Sequence, residues 1–252
     1  MARSAWQRIA LGAGAGIAVG FGLTFYQPEW LLRGVAQLTP GVVWFGPGHR
    51  HEVALTFDDG PDPRWTPQVL DALRQAQARA TFFLMGEHVV AYPDLVRRIV
   101  QEGHQIGNHM WRDENALLLS DAAAERSLLR TEQALFDLTG SAPDWMRPSG
   151  GLARPSFIRR ARRLGYRVVI ASAYASDPRR PPAAYIAWAL TRMMRPGAIL
   201  VLHDAGGDRS RSVAALPRIL AHARRQAWRL VTLDQMFHPG GKGLESGAGN
   251  EI

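Results

Sequence analysis

Short apolar runs recur along the chain at residues 53–57, 80–84, 105–108, 144–147, 167–171, 198–202 and 229–232. Each is too short for a helix and has the length of a buried strand. Between them, residues 66–77, 93–102, 120–138, 156–164, 182–194 and 213–225 space their apolar side chains three and four apart, the period of an amphipathic helix. Thr66 followed by Pro67, and Ser120 followed by Asp121, supply N-cap and first-turn chemistry for two of these helices. Strand and helix alternating about seven times predict an α/β fold with a parallel sheet, either a (β/α) barrel or a doubly wound sheet. Residues 28–47 read as a connector with a short helical piece near Trp30, and the Gly-rich tail 239–252 as disordered.

The hydropathy upstream of this pattern differs. Residues 9–26 contain no charged side chain and follow Arg3 and Arg8. Eighteen helical residues at about 1.5 Å each span roughly 27 Å, enough for a hydrocarbon core. Residues 1–27 are therefore expected to be a signal anchor or transmembrane helix, with the basic flank inside and residues 48–238 outside the cytoplasm. A cleaved signal peptide and a secreted product are the alternative. Gly12, Gly16 and Gly20 fall four apart, a spacing that permits close helix pairing but also follows from general Gly and Ala richness. The Gly-Ala-Gly-Ala-Gly run at 12–16 lacks a preceding strand, so it is not a dinucleotide loop.

Composition narrows the chemistry. The 252 residues include no Cys, which excludes disulfides and thiolate metal sites and leaves His and carboxylates as metal ligands. The net charge of +8 is almost wholly Arg, with Lys242 the single lysine. These arginines are spread over several predicted helices and are not interleaved with aromatics, which argues against a nucleic-acid partner.

In parallel α/β folds, functional groups gather at the carboxyl ends of the strands. Asp58 and Asp59 end the first run and Gly60-Pro61 breaks it; His109 ends the third, Arg147 the fourth, and His203-Asp204 the sixth, with Asp177 just beyond the fifth. An Asp pair often does no more than open a polar loop, and a lone strand-end His is often buried and satisfied. Five strands delivering polar groups to one rim outweigh both readings. Carboxylates and histidines without cysteine suggest metal-assisted hydrolysis, in which a divalent ion brings the pKa of water toward about 7. Asp59 and His109 suit the metal, Asp58 suits a base, and His203 suits a proton donor to a departing amine. His109 and Asp113 are four apart, which on a helical turn puts them on one face.

The stretches TFDDGPD (56–62), GHQIGNH (103–109), RPSGG (147–151) and ILVLHD (199–204), in this order, resemble the signature motifs of the polysaccharide deacetylases, the NodB-homology domains of carbohydrate esterase family four. The resemblance spans roughly residues 50–235. It implies a distorted (β/α) barrel that removes acetyl groups from N-acetylated glycans such as chitin or peptidoglycan, by water activated on a divalent metal. Zinc is the commonest metal, with cobalt, manganese or magnesium as alternatives. By position, Asp58 matches the base, Asp59 and His109 the metal ligands, and His203 the acid. Arg147 matches the cleft arginine, and Gly150 the donor of a backbone N–H to the oxyanion. Asp177 matches the acidic residue tuning the catalytic pair, within the weak stretch SAYASDPRR (172–180).

Three departures bear on this expectation. Asp113 stands where most members carry a second His; a carboxylate is a legitimate zinc ligand, and the more anionic set shifts preference toward manganese or magnesium. The loop 147–151 lacks the usual second proline and aromatic, and the Trp that follows the fourth motif is missing. Trp111 flanks the ligand segment and suits either a sugar platform or core packing. Trp65 suits a hydrophobic staple, and His49, His51, His88, His104 and His222 read as surface or structural. The reading is a membrane-tethered, cell-envelope deacetylase of N-acetylated glycan. Its rivals are a catalytically weak glycan-binding envelope protein on the same fold, and an amidohydrolase of a small N-acyl compound.

Overall fold

The computed structural model describes residues 27–238. The expected anchor at 1–26 and the expected disordered tail from Pro239 lie outside the described residues. Among the described residues no helix is long and apolar enough to cross a membrane.

The chain opens with helix α1 (Glu29–Leu38) and the short strand β1 (Val42–Val43), then enters β2 (Glu52–Asp58). There follow α2 (Thr66–Gln75), β3 (Thr81–Leu84), α3 (Gly86–Ala91), α4 (Pro93–Gln101), β4 (Gln105–Asn108), α5 (Asp121–Thr139), β5 (Trp145–Met146), α6 (Pro155–Arg163) and β6 (Arg167–Val169). The last part is β7 (Ala173–Tyr174), α7 (Ala183–Arg192), β8 (Ile199–His203), α8 (Ser210–Arg225), β9 (Arg229–Val231) and α9 (Leu233–Phe237). Every strand pair is parallel, in the order β1-β6-β5-β4-β3-β2-β8-β7, with β9 pairing along the start of β2.

β6 and β7 lie near opposite ends of that order although only residues 170–172 separate them. Three residues span at most about 11 Å, so the sheet must curl until its ends approach. Ile170 N–H donates to Val43 and Ser172 N–H to Ile199, so this short segment bridges the two ends. The expected α/β fold with a parallel sheet is what forms, curled into a half-barrel in which the end strands β1 and β7 do not pair with each other. The expected connector 28–47 supplies α1 and an edge strand.

Strand parity sorts the interior. All seven residues of β2 are buried, as expected for a parallel strand covered on both faces. Val53, Leu55 and Phe57, with Phe82, Leu84, Leu200 and Leu202, pack in the cluster that includes helix residues Leu70, Leu73, Leu216 and Ile219. Ala54, Phe83, Trp145 and Ile199 form a separate cluster inside the barrel. Because side chains alternate, Thr56, Asp58, Arg147 and His203 share the inward parity, and His109 follows Gly107 in it.

Candidate active site

β2 and β8 are in register so that Asp58 lies opposite His203, with Asp204 N–H donating to Asp58 carbonyl at 3.3 Å. The inward parity aims both side chains into the upper end of the barrel, yet each has its own partner. Arg147 Nη1 donates to Asp58 Oδ1 at 2.7 Å and to Thr56 Oγ1 at 2.7 Å, and its guanidinium lies 4.3 Å from the Phe83 ring centroid. Arg147 and Asp58 are both buried. His203 shares a hydrogen bond between Nδ1 and Asp177 Oδ1 at 2.9 Å. Asp177 Oδ2 accepts from His203 N–H at 2.9 Å and from Ser212 Oγ at 2.7 Å, so the carboxylate is fixed from three directions. Burial alone would lower the His203 pKa, but Asp177, Asp59 and Asp58 overcome it and raise it to about 9.

Asp59 would follow Asp58 onto the opposite parity on a continuing strand. It instead takes φ 74, and the chain turns through Gly60-Pro61. Its Oδ1 comes 3.4 Å from His109 Nε2 and its Oδ2 3.8 Å from Arg209 Nη2. Burial pushes the Asp59 carboxyl up, but the His109 contact and the His203 and Arg209 charges hold it below the usual carboxylate range. A side chain at Gly60 would strike Asp204, since a Cβ there would lie 2.6 Å from Asp204 Oδ1.

His109 is placed by the residue before it. Asn108 faces outward, where its amide donates to Leu128 carbonyl at 2.9 Å and Tyr166 hydroxyl at 2.8 Å, while Oδ1 accepts from Met110 N–H at 2.8 Å. The His109 Nδ1 atom lies 2.8 Å from Arg147 carbonyl, so Nδ1 carries a proton and Nε2 is turned toward Asp59. Burial opposes a charged His109, but Asp58 and Asp59 outweigh it and raise its pKa. An imidazole nitrogen that can give up its proton to a cation, beside an ionised carboxylate and with the second ring nitrogen oriented by a carbonyl, is the donor chemistry of a divalent-metal site. Asp59 and His109 therefore fit the expected ion. Among the described residues no group of three His, Asp or Glu side chains gathers as a ready ligand set.

Asp113 does not join that pair through a helical turn. Residues 109–120 are irregular rather than helical, so the four-residue spacing loses its geometric force, and Asp113 Oδ1 accepts from Ser149 Oγ at 2.5 Å. That bond ties the loop after β4 to the loop after β5. Gly150 is exposed at φ 77 with open space where a Cβ would be. Trp111 sits under Arg130, whose guanidinium is 3.5 Å from its ring centroid, and against Gly86, where a Cβ would approach the indole to 2.3 Å. These contacts are packing.

Several neighbours of the site take parts other than those expected from the sequence. Thr66, expected to cap α2, is its first residue instead; Trp65 holds the N-cap position, and the Thr66 hydroxyl donates to Asp204 Oδ2 at 2.5 Å. Asp204 Oδ1 is buried without a hydrogen-bond partner, and burial raises the Asp204 pKa to about 7. Trp65 packs beneath Arg64 and donates Nε1–H to Gly207 carbonyl at 3.0 Å. His88, read as surface or structural, has Nδ1 2.8 Å from Asp59 carbonyl and so braces the turn from outside. His104 is structural, its Nδ1 accepting from Ala80 N–H at 3.3 Å.

The chain has clear relatives among known proteins. Residues 46–169 match the family model described as polysaccharide deacetylase. A Bacillus cereus peptidoglycan-N-acetylglucosamine deacetylase is 39% identical over 210 residues, covering 82% of this chain and 98% of the relative. A Rhizobium leguminosarum chitooligosaccharide deacetylase is 32% identical over 194 residues, covering 73% and 90%. The crystal structure of the Bc1960 peptidoglycan N-acetylglucosamine deacetylase, bound to an N-hydroxybenzamide, superposes with a TM-score of 0.76 at 35% identity, covering 78% of this chain and 92% of that one. With its curled parallel barrel and a polar rim built from the matching motifs, this chain belongs to the polysaccharide deacetylase family of hydrolases.

Proposed function

We propose that the protein removes acetyl groups from an N-acetylated glycan of the peptidoglycan or chitooligosaccharide type, with Asp58 as base and His203 as acid. The observation that carries this reading is the register pair Asp58–His203, in which each residue has an opposite-charge partner of its own. Asp58 is held by the Arg147 guanidinium, which offsets its buried charge and fixes the carboxylate inward. Raised to about 9 by Asp177, His203 is protonated at neutral pH and keeps Nε2 for a ligand.

The reaction divides between them. Water attacks the acetyl carbonyl carbon and gives its proton to Asp58; the developing oxyanion is met by the Gly150 N–H. The C–N bond then breaks as the His203 Nε2 proton passes to the departing amine, releasing acetate. Asp59 and His109 would hold a divalent metal, with zinc favoured by the nitrogen donor and Asp113 proposed as a further ligand. When bound, that ion supplies Lewis acidity at the reacting oxygens. The uncharged run 9–26 behind Arg3 and Arg8 supports attachment to the membrane with residues 48–238 outside the cytoplasm.

The test is acetate release from chitooligosaccharides and peptidoglycan fragments by chelator-stripped protein. It is supplied in turn with zinc, cobalt, manganese or magnesium, with Asp58→Asn as the blank. Metal-restored release that the blank lacks is the expected result. Stoichiometric metal binding by folded protein without release from either glycan overturns it in favour of a binding protein or a small N-acyl substrate.

A further inference from the structure

The described chain begins with an unusual contact. Gln27 is buried at 5% exposure, and its side-chain amide makes two hydrogen bonds to one residue 147 positions away. Gln27 Nε2 donates to Tyr174 carbonyl at 2.6 Å, and Tyr174 N–H donates to Gln27 Oε1 at 2.9 Å. A primary amide satisfying both backbone groups of one residue acts as a paired strand would. It does so on β7, which ends the sheet order and, among the described residues, has a strand neighbour on one side only. Glu29 reinforces the junction. Its carboxylate lies 3.6 Å from Arg195 Nε, and Arg195 Nη2 donates to Ser172 carbonyl at 3.3 Å, immediately before β7.

Tyr174 is the residue of β7 closest to the proposed chemistry. Its half-buried ring meets the His203 imidazole edge-on, with centroids 6.2 Å apart. Asp177 fixes His203 through one nitrogen, which leaves the imidazole a hinge about that bond; the Tyr174 ring is the wall on one side of the hinge. β7 is two residues long with Tyr174 one of them, and the N–H and carbonyl of Tyr174 are the groups that Gln27 ties down.

We propose that Gln27 is a positioning residue for the deacetylation, acting through Tyr174 on the alignment of His203 with the departing amine. Gln27 lies upstream of residues 46–169, the part matched by the family model, so the site borrows a wall support from a segment that precedes the barrel. The inference rests on the reading of His203 as the acid in the proposed function. Misalignment of a proton donor affects turnover more than ground-state binding, and displacements near 1 Å can cost as much as about 100-fold.

Turnover and KM are compared for full-length wild type and for Gln27→Met, which keeps the volume and loses both hydrogen bonds. Gln27→Glu keeps the acceptor for Tyr174 N–H and loses the donor. All are measured again in a Tyr174→Ala background, with His203→Gln as control. Gln27→Met is expected to lower kcat roughly 10-fold with KM within about two-fold. Gln27→Glu should fall between, and Gln27→Met should cost nothing further once Tyr174 is Ala. Equal losses from Gln27→Met with and without the Tyr174 ring, or a rise in KM alone, would overturn the coupling, as would undiminished kcat while His203→Gln is inactive. If His203→Gln itself retains turnover, the acid assignment has failed, and the positioning role falls with it. Loss of fold in Gln27→Met would be visible in thermal unfolding, and the comparison then rests on Gln27→Glu.

Discussion

Asp204 is a carboxyl buried behind the Asp58–Asp59 turn, and its replacement by Asn tests how this site is built. Burial raises its pKa from 3.8 to about 7, with the Asp59 charge adding to the rise against the Thr66 hydrogen bond. The folded protein thus holds a proton there between pH 3.8 and about 7 that the unfolded chain has released. Stability contributed by the neutral acid is complete below pH 3.8 and is lost as pH rises to about 7. At about 1.4 kcal/mol per pH unit, the full window is worth about 4 kcal/mol, and the part between pH 4.5 and 7 about 3 kcal/mol. The total stability curve conceals this, because His104 runs the other way. Burial lowers its pKa from 6.5 to about 4, so stability tied to His104 is present above pH 6.5 and lost as pH falls through 4. The difference between Asp204→Asn and wild type cancels His104. Asn retains an acceptor for Thr66 and carries no charge, so it mimics the protonated acid at every pH. Urea unfolding of metal-free protein should show the variant gaining about 3 kcal/mol on wild type from pH 4.5 to 7.5. A difference that stays constant over that range would mean Asp204 is ionised in the folded state throughout it, and would refute the reading of Asp204 as a buried acid that burial keeps protonated up to about pH 7.

His203→Gln should lower kcat by roughly 10² to 10⁴ in steady-state acetate release. It should also flatten the stability curve between pH 6.5 and about 9, where the raised pKa makes the wild type lose stability as pH rises. Asp58→Asn should bind metal like wild type by isothermal titration and lose turnover, whereas Asp59→Asn should lose both. Arg147→Met leaves Asp58 buried without its partner and should cost about 3–5 kcal/mol in urea unfolding. Asp113→Ala should weaken metal binding by at least 10-fold if Asp113 supplies a ligand, and leave it unchanged if its only task is the bond to Ser149.

The strands that carry the site were legible because each is a short apolar run ending in a charged or polar residue. The run read at 105–108 is β4 to the residue, and those read at 53–57 and 198–202 fall one residue short of Asp58 and His203, which still pair as strand. β1 and β7 were not legible. Two residues have no periodicity, and their pairing comes from curling of the sheet, a property of the whole molecule. The run read at 167–171 is therefore β6 alone, after which the chain crosses to the other end of the sheet. α3 escaped notice because six residues beginning with Gly show less than two turns of pattern. Among site residues, Asp177 was found through a weak motif, Asp204 was visible only as the end of the sixth run without its role behind the turn, and Gln27 gave no local signal at all. Their partners, Thr66 and Tyr174, lie 138 and 147 residues away.

Parity accounts for the assignment of chemistry to residues. Thr56, Asp58, Arg147 and His203 face inward because they alternate with Phe57, Met146 and Leu202, which the helices cover. The proposed base, the arginine that holds it, and the proposed acid thus reach one opening without any special loop. Adjacent aspartates cannot both do so on a strand, since the second must point at the helices. The left-handed conformation of Asp59 breaks the alternation and swings its carboxylate back toward His109, while Gly60 leaves room for Asp204 behind the turn. The two carboxylates consequently differ in environment, one against a guanidinium and one against an imidazole. This difference lets neighbours of identical chemistry take the separate roles proposed for them, proton acceptor and metal ligand. It also makes the turn costly in backbone strain for a non-glycine residue, a cost that the bonds from His88 to Asp59 and from Thr66 to Asp204 are placed to offset.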